Sequence, residues 1–266
     1  MVAWLPLGRL ASEGLARWTL LSAKAVEADV MHWPDLVIFD CDGVLVDSEM
    51  IALGQTRQAL GQAGLTLSHA QAIDRFLGFS LDSIMQNVEM ELAGALPAEF
   101  RQDLSREILA RFAVELKGVE GVRAAVAALN CKVCVASSSP PDRIRLALSA
   151  VGYDGLFEPH IFSATMAPRG KPHPDLFLHA AREMAAQPDR CLVIEDSAPG
   201  VTAAVSAGMA VFGFVGGSHF SGPTRAAQQE RLRGAGAALV FDDMSRLPAL
   251  IAQRLREMEG DRGQRA

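Results

Sequence analysis

Short apolar runs recur along the chain, and each stops at a polar or glycine-bearing turn. The first, Asp35-Leu36-Val37-Ile38-Phe39, runs into Asp40-Cys41-Asp42-Gly43, the pattern of a buried strand that ends in a tight turn. Comparable runs stand at 132–136, 159–163, 191–194, 209–215 and 238–241. The stretches 122–129, 142–151, 175–186, 200–207 and 246–258 carry helical spacing instead, with Asp142 in an acidic first turn. Residues 48–118 break this alternation. Leu53, Leu60, Leu65, Ile73, Phe76, Leu77, Ile84 and Met85 recur there at helix-like intervals, with breaks at Gly61, Gly64, Gly78, Gly94 and Pro97 and no strand pattern. That segment is predicted to be an all-helical insert.

Strands alternating with helices predict an α/β fold with a mainly parallel sheet and right-handed crossovers. In such sheets ligands bind beyond the carboxyl ends of the strands. The first strand delivers Asp40 and Asp42 there, the second Ser137, Ser138 and Ser139, the fourth Glu195 and Asp196, and the loop after the third Lys171. Singly, each has an ordinary explanation as a turn, a helix cap or a solvated acidic face. Jointly they put carboxylates, hydroxyls and one ammonium at one edge of the sheet. Clustered carboxylates repel unless a cation sits among them, and hard oxygen donors suit Mg2+. A hydroxyl and a lysine can hold phosphate oxygens. One carboxylate can then attack phosphorus, and a second, two residues on, can serve the leaving oxygen as acid and water as base.

Composition narrows the alternatives. The 266 residues suffice for one large domain or for a core plus a smaller one, and 50% apolar with 21% charged residues is ordinary for a globular chain. The net charge is −6, from 25 Lys and Arg against 31 Asp and Glu, and no basic run or basic–aromatic stripe speaks for a nucleic-acid partner. No apolar run approaches the ~20 residues of a membrane span. Cys41, Cys131, Cys134 and Cys191 lie in or beside apolar runs, which suits buried reduced thiols in a cytoplasmic protein. Cys131 and Cys134 have CxxC spacing, yet residues three apart on a strand point to opposite faces, so two core thiols are expected. Residues 1–33 hold Trp4, Trp18 and Trp33 but no signal-peptide core; they read as a poorly ordered extension, with Met31 a candidate start.

Four motifs give the chain a resemblance to the haloacid dehalogenase-like hydrolase superfamily, in its subgroup of β-phosphoglucomutase-like enzymes and sugar-phosphate phosphatases. FDCDGVLVDSE at 39–49 is similar to the first motif, VCVASSS at 133–139 to the second, GKPHPDLFLHAA at 170–181 to the third and VIEDSAPGVTAAVSAGM at 193–209 to the fourth. The resemblance spans residues 34–250. It implies a Rossmann-like catalytic core at 34–53 and 120–258, a helical cap domain at 54–119 with hinges near 48–54 and 118–121, and a tail at 259–266. By the same resemblance Asp40 would be the nucleophile and a Mg2+ ligand, and Asp42 the acid/base with its carbonyl on the metal. Ser137 and Lys171 would bind the phosphate, with Ser138 and the turn residues Cys41 and Gly43 beside it. Asp196 would ligate the metal, with Glu195 next to it directly or through water.

The resemblance also separates subgroups. β-Phosphoglucomutases carry a His shortly after the first motif, where this chain has Ala52, and an Arg after a Gly-x-Ser of the cap, where Gly78-Phe79-Ser80 is followed by Leu81. Both departures favour a phosphatase over a phosphosugar mutase. Asp42 in the second acidic position argues against a dehalogenase. Receiver domains of signalling proteins share the acidic cluster, the hydroxyl and the lysine, but they lack a helical insert after the first motif. The expected protein is a cytoplasmic, monomeric phosphatase whose partner is a small phosphate ester. Arg75, Gly78, Phe79 and Ser80 are the candidate substrate contacts, with Phe76 and Phe79 equally readable as core. Hexose, pentose, polyol and sugar-acid phosphates all stay open.

Overall fold

The computed structural model describes residues 33–263 apart from 77–80, 93, 95 and 221. The expectations for residues 1–32 therefore lie outside the described residues. Strands β1 (Leu36–Phe39), β2 (Lys132–Ser137), β3 (Ile161–Ser163), β4 (Cys191–Glu195), β5 (Ala210–Phe214) and β6 (Leu239–Phe241) form one sheet. Their order is β3-β2-β1-β4-β5-β6 and every neighbouring pair is parallel. From β1 the chain winds outward to β2 and β3, then crosses back to β4 and on to β5 and β6. β1 and β4 thus flank the point where the winding reverses, the place where such sheets open a crevice. Phe39 pairs with Val135 on one side and Ile194 on the other, which sets Asp40 level with Ala136 and Glu195.

The strands read as unbroken apolar runs because both faces of the sheet are covered. Val37, Phe39, Val135, Leu192, Ile194 and Phe212 belong to one buried cluster, and Leu36, Ile38, Cys134, Ala136, Val193 and Val211 to the other. Cys134 lies in the second cluster while Cys131, half-buried, packs against the first, and all four cysteines are free thiols. The opposite-face reading of the CxxC holds.

Between β1 and β2 the chain makes α1 (Glu49–Gln62), α2 (His69–Phe76), α3 (Leu81–Glu91), α4 (Phe100–Glu115) and the short α5 (Val122–Ala127). The first four form the insert. Their buried residues Leu53, Leu60, Phe76, Met85, Leu104, Ile108 and Phe112 belong to the same cluster as Phe39 and the turn residues Val44, Leu45 and Val46, so the insert packs on one face of the sheet. Its two connections are stitched together. Asp47 donates its backbone N–H to the Lys117 carbonyl at 2.9 Å, and Val119 donates to the Leu45 carbonyl at 2.9 Å.

The rest alternates around the sheet: α6 (Pro141–Ala150), α7 (Asp154–Phe157), α8 (Asp175–Glu183), α9 (Ala198–Ser206), α10 (Gly222–Ala235) and α11 (Leu247–Gly263). Three features depart from the sequence reading. α7 is a single turn, too short for periodicity to announce. α10 was not foreseen because it has no apolar stripe; among its described side chains only Leu232 is buried. Its run of Ala, Gln, Glu, Arg and Leu, all good helix formers, was the available signal. α11 runs to Gly263 instead of stopping at 258, supported by Glu257 accepting hydrogen bonds from Gln253 at 3.0 Å and Arg254 at 3.2 Å. Among the described residues no helix is long and apolar enough to cross a membrane.

Candidate active site

Asp40 is the first residue past β1, tied to β4 by a backbone hydrogen bond from its N–H to the Ile194 carbonyl at 3.0 Å. The chain turns at once. Gly43 donates to the Val46 carbonyl at 2.8 Å, and Leu45 and Val46 both donate to the Cys41 carbonyl. Gly43 is required by two constraints. Its φ is +80°, and a Cβ there would stand 1.9 Å from Asp196 Oδ2. The missing side chain is what lets the Asp196 carboxylate lie against the turn. The Cys41 thiol is buried in the apolar cluster, and burial lifts its pKa well above the ordinary range, so any role of Cys41 in the turn falls to its backbone.

Lys171 bridges the crevice. Its Nζ donates to Asp40 Oδ1 at 2.6 Å, Glu195 Oε1 at 2.7 Å and the Ala136 carbonyl at 3.3 Å, with the side chain only 6% exposed. Glu195 Oε2 accepts from Ser197 N at 2.7 Å and Ser197 Oγ at 3.0 Å. Ser197 also caps α9 by accepting from Gly200 N at 3.1 Å, and Pro199 sits in the first turn, which explains why Glu195-Asp196-Ser197 ends one element and starts the next. A Cβ on Gly200 would fall 1.7 Å from Glu195 Oε1, so this glycine keeps the carboxylate's place open. The Asp196 carbonyl accepts from Gln228 Nε2 of α10 at 2.5 Å.

The electrostatics of this group are lopsided. Burial pushes the Asp40 carboxyl up to about 7, against the pull of Lys171, with Glu195 adding to the rise. Asp196 is raised well above the carboxylate range by burial and by the charges of Glu195 and Asp40. Burial works against the Lys171 ammonium, but Asp40 and Glu195 outweigh it and hold its pKa above the ordinary value. Three clustered carboxylates around one ammonium leave a deficit of positive charge. That deficit suits a hard divalent cation, and Asp40 and Asp196 are carboxylates that could hold one. Among the described residues no group of three or more Asp, Glu, His or Cys side chains is arranged to hold a metal ion by itself. Mg2+ does not need one, because it takes one or two carboxylates and fills the remaining positions with water and phosphate oxygens.

Asp42 lives differently. Its Oδ1 accepts from Ser48 Oγ at 2.5 Å and Arg143 Nη2 at 3.1 Å, and its Oδ2 accepts from Ser139 Oγ at 2.8 Å. Burial alone would raise this carboxyl. The Arg143 charge and the three donors outweigh it and hold the pKa below the ordinary range.

Of the remaining sequence candidates, Ser137 is buried at the end of β2 and accepts from Ser139 N at 3.1 Å, while Ser138 is exposed at the turn. Arg75 is not brought to the strand ends. It is ion-paired with Glu91 inside the insert and lies over the Phe76 ring, and Phe76 is core. Gly78, Phe79 and Ser80 lie outside the described residues. Sequence reasoning missed Arg143, and it read Ser48 only as a hinge. It also missed His219, a buried imidazole whose Nε2 is 3.9 Å from Asp196 Oδ2 and whose pKa burial lowers to about 4. Arg143 was the least readable, since its contact depends on how α6 is set against α4.

Fold and site together fit a hydrolase of the phosphate-transferring α/β kind, with a carboxylate pair just past the first strand and a lysine opposite. The chain belongs to the haloacid dehalogenase-like hydrolases, whose family description matches residues 34–208. It is 32% identical over 186 residues to the 6-phosphogluconate phosphatase of Escherichia coli, covering 70% of this chain and 84% of that one. It is 30% identical over 182 residues to Hexitol phosphatase B of the same species, covering 65% and 79%. A conserved haloacid dehalogenase-like protein of unknown function from Agrobacterium tumefaciens superposes with a TM-score of 0.73 at 40% identity, over 83% of this chain and 98% of that one. The enzyme class read from the motifs, a phosphoric monoester hydrolase, agrees with these phosphatase-named relatives.

Proposed function

We propose that the protein is a Mg2+-dependent phosphatase that hydrolyses a small sugar or polyol phosphate through an aspartyl phosphate on Asp40. The observation that carries this reading is Lys171 Nζ seated between Asp40 Oδ1 and Glu195 Oε1, with Asp196 laid against Gly43. Asp40, Asp196 and the Asp42 carbonyl would hold Mg2+, which when bound would supply positive charge for the phosphoryl oxygens. Asp40 attacks phosphorus while the ester P–O bond breaks; Asp42, ionised before substrate binds, takes the proton of the arriving phosphate monoanion and passes it to the leaving alkoxide. In the second half Asp42 takes a proton from water, the water oxygen bonds to phosphorus, and the bond to Asp40 breaks to release phosphate. Lys171 fixes the Asp40 carboxylate and balances charge on the phosphoryl oxygens in both halves. Ser137, at the end of β2, is assigned a phosphate oxygen on the strength of the motif it shares.

The insert of four helices is assigned the role of a cap that closes over the crevice and excludes water. The phosphatase names of the curated relatives, and Ala52 and Leu81 at the two positions where mutases carry His and Arg, support water as the acceptor. The names of the relatives, 6-phosphogluconate phosphatase and Hexitol phosphatase B, support testing polyhydroxylated phosphates first. The test is phosphate release from a panel of hexose, pentose, polyol and sugar-acid phosphates and from p-nitrophenyl phosphate, with Mg2+ present. Several sugar phosphates are expected to react, one should stand out, and Asp40→Asn should abolish turnover. Stable phosphorylation without turnover would mark a switch, migration of phosphate on a sugar would mark a mutase, and a silent panel would sink the hydrolase reading.

A further inference from the structure

We propose that Arg143 is a positioning residue that acts through Asp42, fixing the acid/base carboxylate in its working orientation. The inference rests on the phosphatase reading above and adds to it a residue outside the four motifs' assigned positions.

Three separate segments converge on Asp42: Ser48 from the start of the insert, Ser139 from the loop after β2, and Arg143 from the first turn of α6. The two hydroxyls are weak constraints, because each rotates freely about its C–O bond and can donate elsewhere. The guanidinium is a planar, permanently charged fork, and it is itself held in place. Its Cζ lies 5.0 Å from the centre of the Phe112 ring of α4, which is 1% exposed, and the Arg143 side chain is 24% exposed. Its Nε is buried without a hydrogen-bond partner. Burying a guanidinium with an orphaned Nε costs stability. Packing alone would be served better by an apolar side chain at this position. What the charge gains is the Asp42 carboxylate, to which Nη2 donates at 3.1 Å. The stack on Phe112 sets where the guanidinium stands, and the guanidinium in turn sets the carboxylate plane of Asp42.

A positioning residue and a merely structural one are separated by a double-mutant cycle with Asp42→Asn. The readout is phosphate release, at high enzyme concentration, from the best sugar phosphate of the panel. With Asp42 present, Arg143→Met is expected to lower kcat by roughly 10–100-fold while KM moves by less than about twofold, because a misaimed acid/base slows chemistry and leaves binding alone. In the Asp42→Asn background the same substitution should cost less than about twofold, since the group it acts through is gone. Arg143→Lys should recover part of the loss. For p-nitrophenyl phosphate, whose phenolate leaves without a proton, kcat/KM should fall much less than for the sugar phosphate.

Losses that multiply across the cycle would overturn the inference, as would an equal fall for both substrates or an unchanged kcat. A thermal melt checks that each variant is folded; should Arg143→Met fail to fold, Arg143→Lys carries the same cycle with a smaller expected loss. Wild-type turnover that Asp40→Asn abolishes, combined with an additive cycle, removes this inference alone. Absence of wild-type turnover removes the functional reading and this inference with it.

Discussion

The turn after β1 divides two neighbourhoods of opposite character. On the Asp40 side, the carboxylates of Asp40, Glu195 and Asp196 gather around the Lys171 ammonium. On the Asp42 side, one carboxylate is served by Ser48, Ser139 and Arg143. Burial pushes Asp40, Asp42 and Asp196 toward the neutral form, yet Asp40 and Asp196 rise while Asp42 falls. Burial wins at Asp40 and Asp196, and only around Asp42 do the neighbours together outweigh it. On the proposed mechanism the anion-rich side takes the cation and the phosphoryl group, and the donor-rich side holds the acid/base carboxylate steady.

The largest effect should come from removing the charge that the anion-rich side depends on. Lys171→Met leaves Asp40 and Glu195 facing each other in a site almost closed to water. Breaking a buried pair of this kind costs about 3–5 kcal/mol. Arg143→Met removes one of three donors from a carboxylate that keeps two hydroxyls, and should cost about 1–3 kcal/mol. Urea denaturation of both variants without metal tests the contrast. Equal losses would break it.

A slightly smaller effect should follow from adding the proposed cation. At Mg2+ about 100-fold above its dissociation constant, binding to the folded state adds about 2.7 kcal/mol. Melting curves with and without MgCl2 should show this gain for the wild type and keep it in Arg143→Met. Asp196→Asn should lose most of it. A full Mg2+-dependent gain in Asp196→Asn would mean that the cation binds elsewhere.

The two sides also differed in how far the sequence disclosed them. Asp40, Lys171, Glu195 and Asp196 were legible because each ends or follows a strand, and parallel strands deliver their carboxyl ends to one edge whatever the details of packing. The strands were legible for a related reason: both faces of the sheet are covered, so they read as unbroken apolar runs. The surroundings of Asp42 were not. Ser48 Oγ and Arg143 Nη2 reach it only because the insert and α6 pack as they do, and no periodicity records that. α10 stayed hidden likewise, since a helix that buries little beyond Leu232 leaves no stripe to read.

The smallest effect is the sharpest test of how tightly the anion-rich side is built. Gly200 lies inside α9, where helix propensity alone would make Gly→Ala stabilising by about 1 kcal/mol. But its Cβ would stand 1.7 Å from Glu195 Oε1, and that carboxylate is already fixed by Lys171 and Ser197. Forcing atoms into a packed site costs about 1–3 kcal/mol, so the expected net result is a destabilisation of about 1 kcal/mol. Gly54 supplies the internal control. It lies in mid-α1 with nothing within 4 Å of its would-be Cβ. Gly54→Ala should therefore stabilise by up to about 1 kcal/mol. Thermal melts of the two variants should shift in opposite directions. If Gly200→Ala stabilises as Gly54→Ala does, Glu195 has room to retreat, and the close grip of Lys171 on both Asp40 and Glu195 is looser than its distances imply.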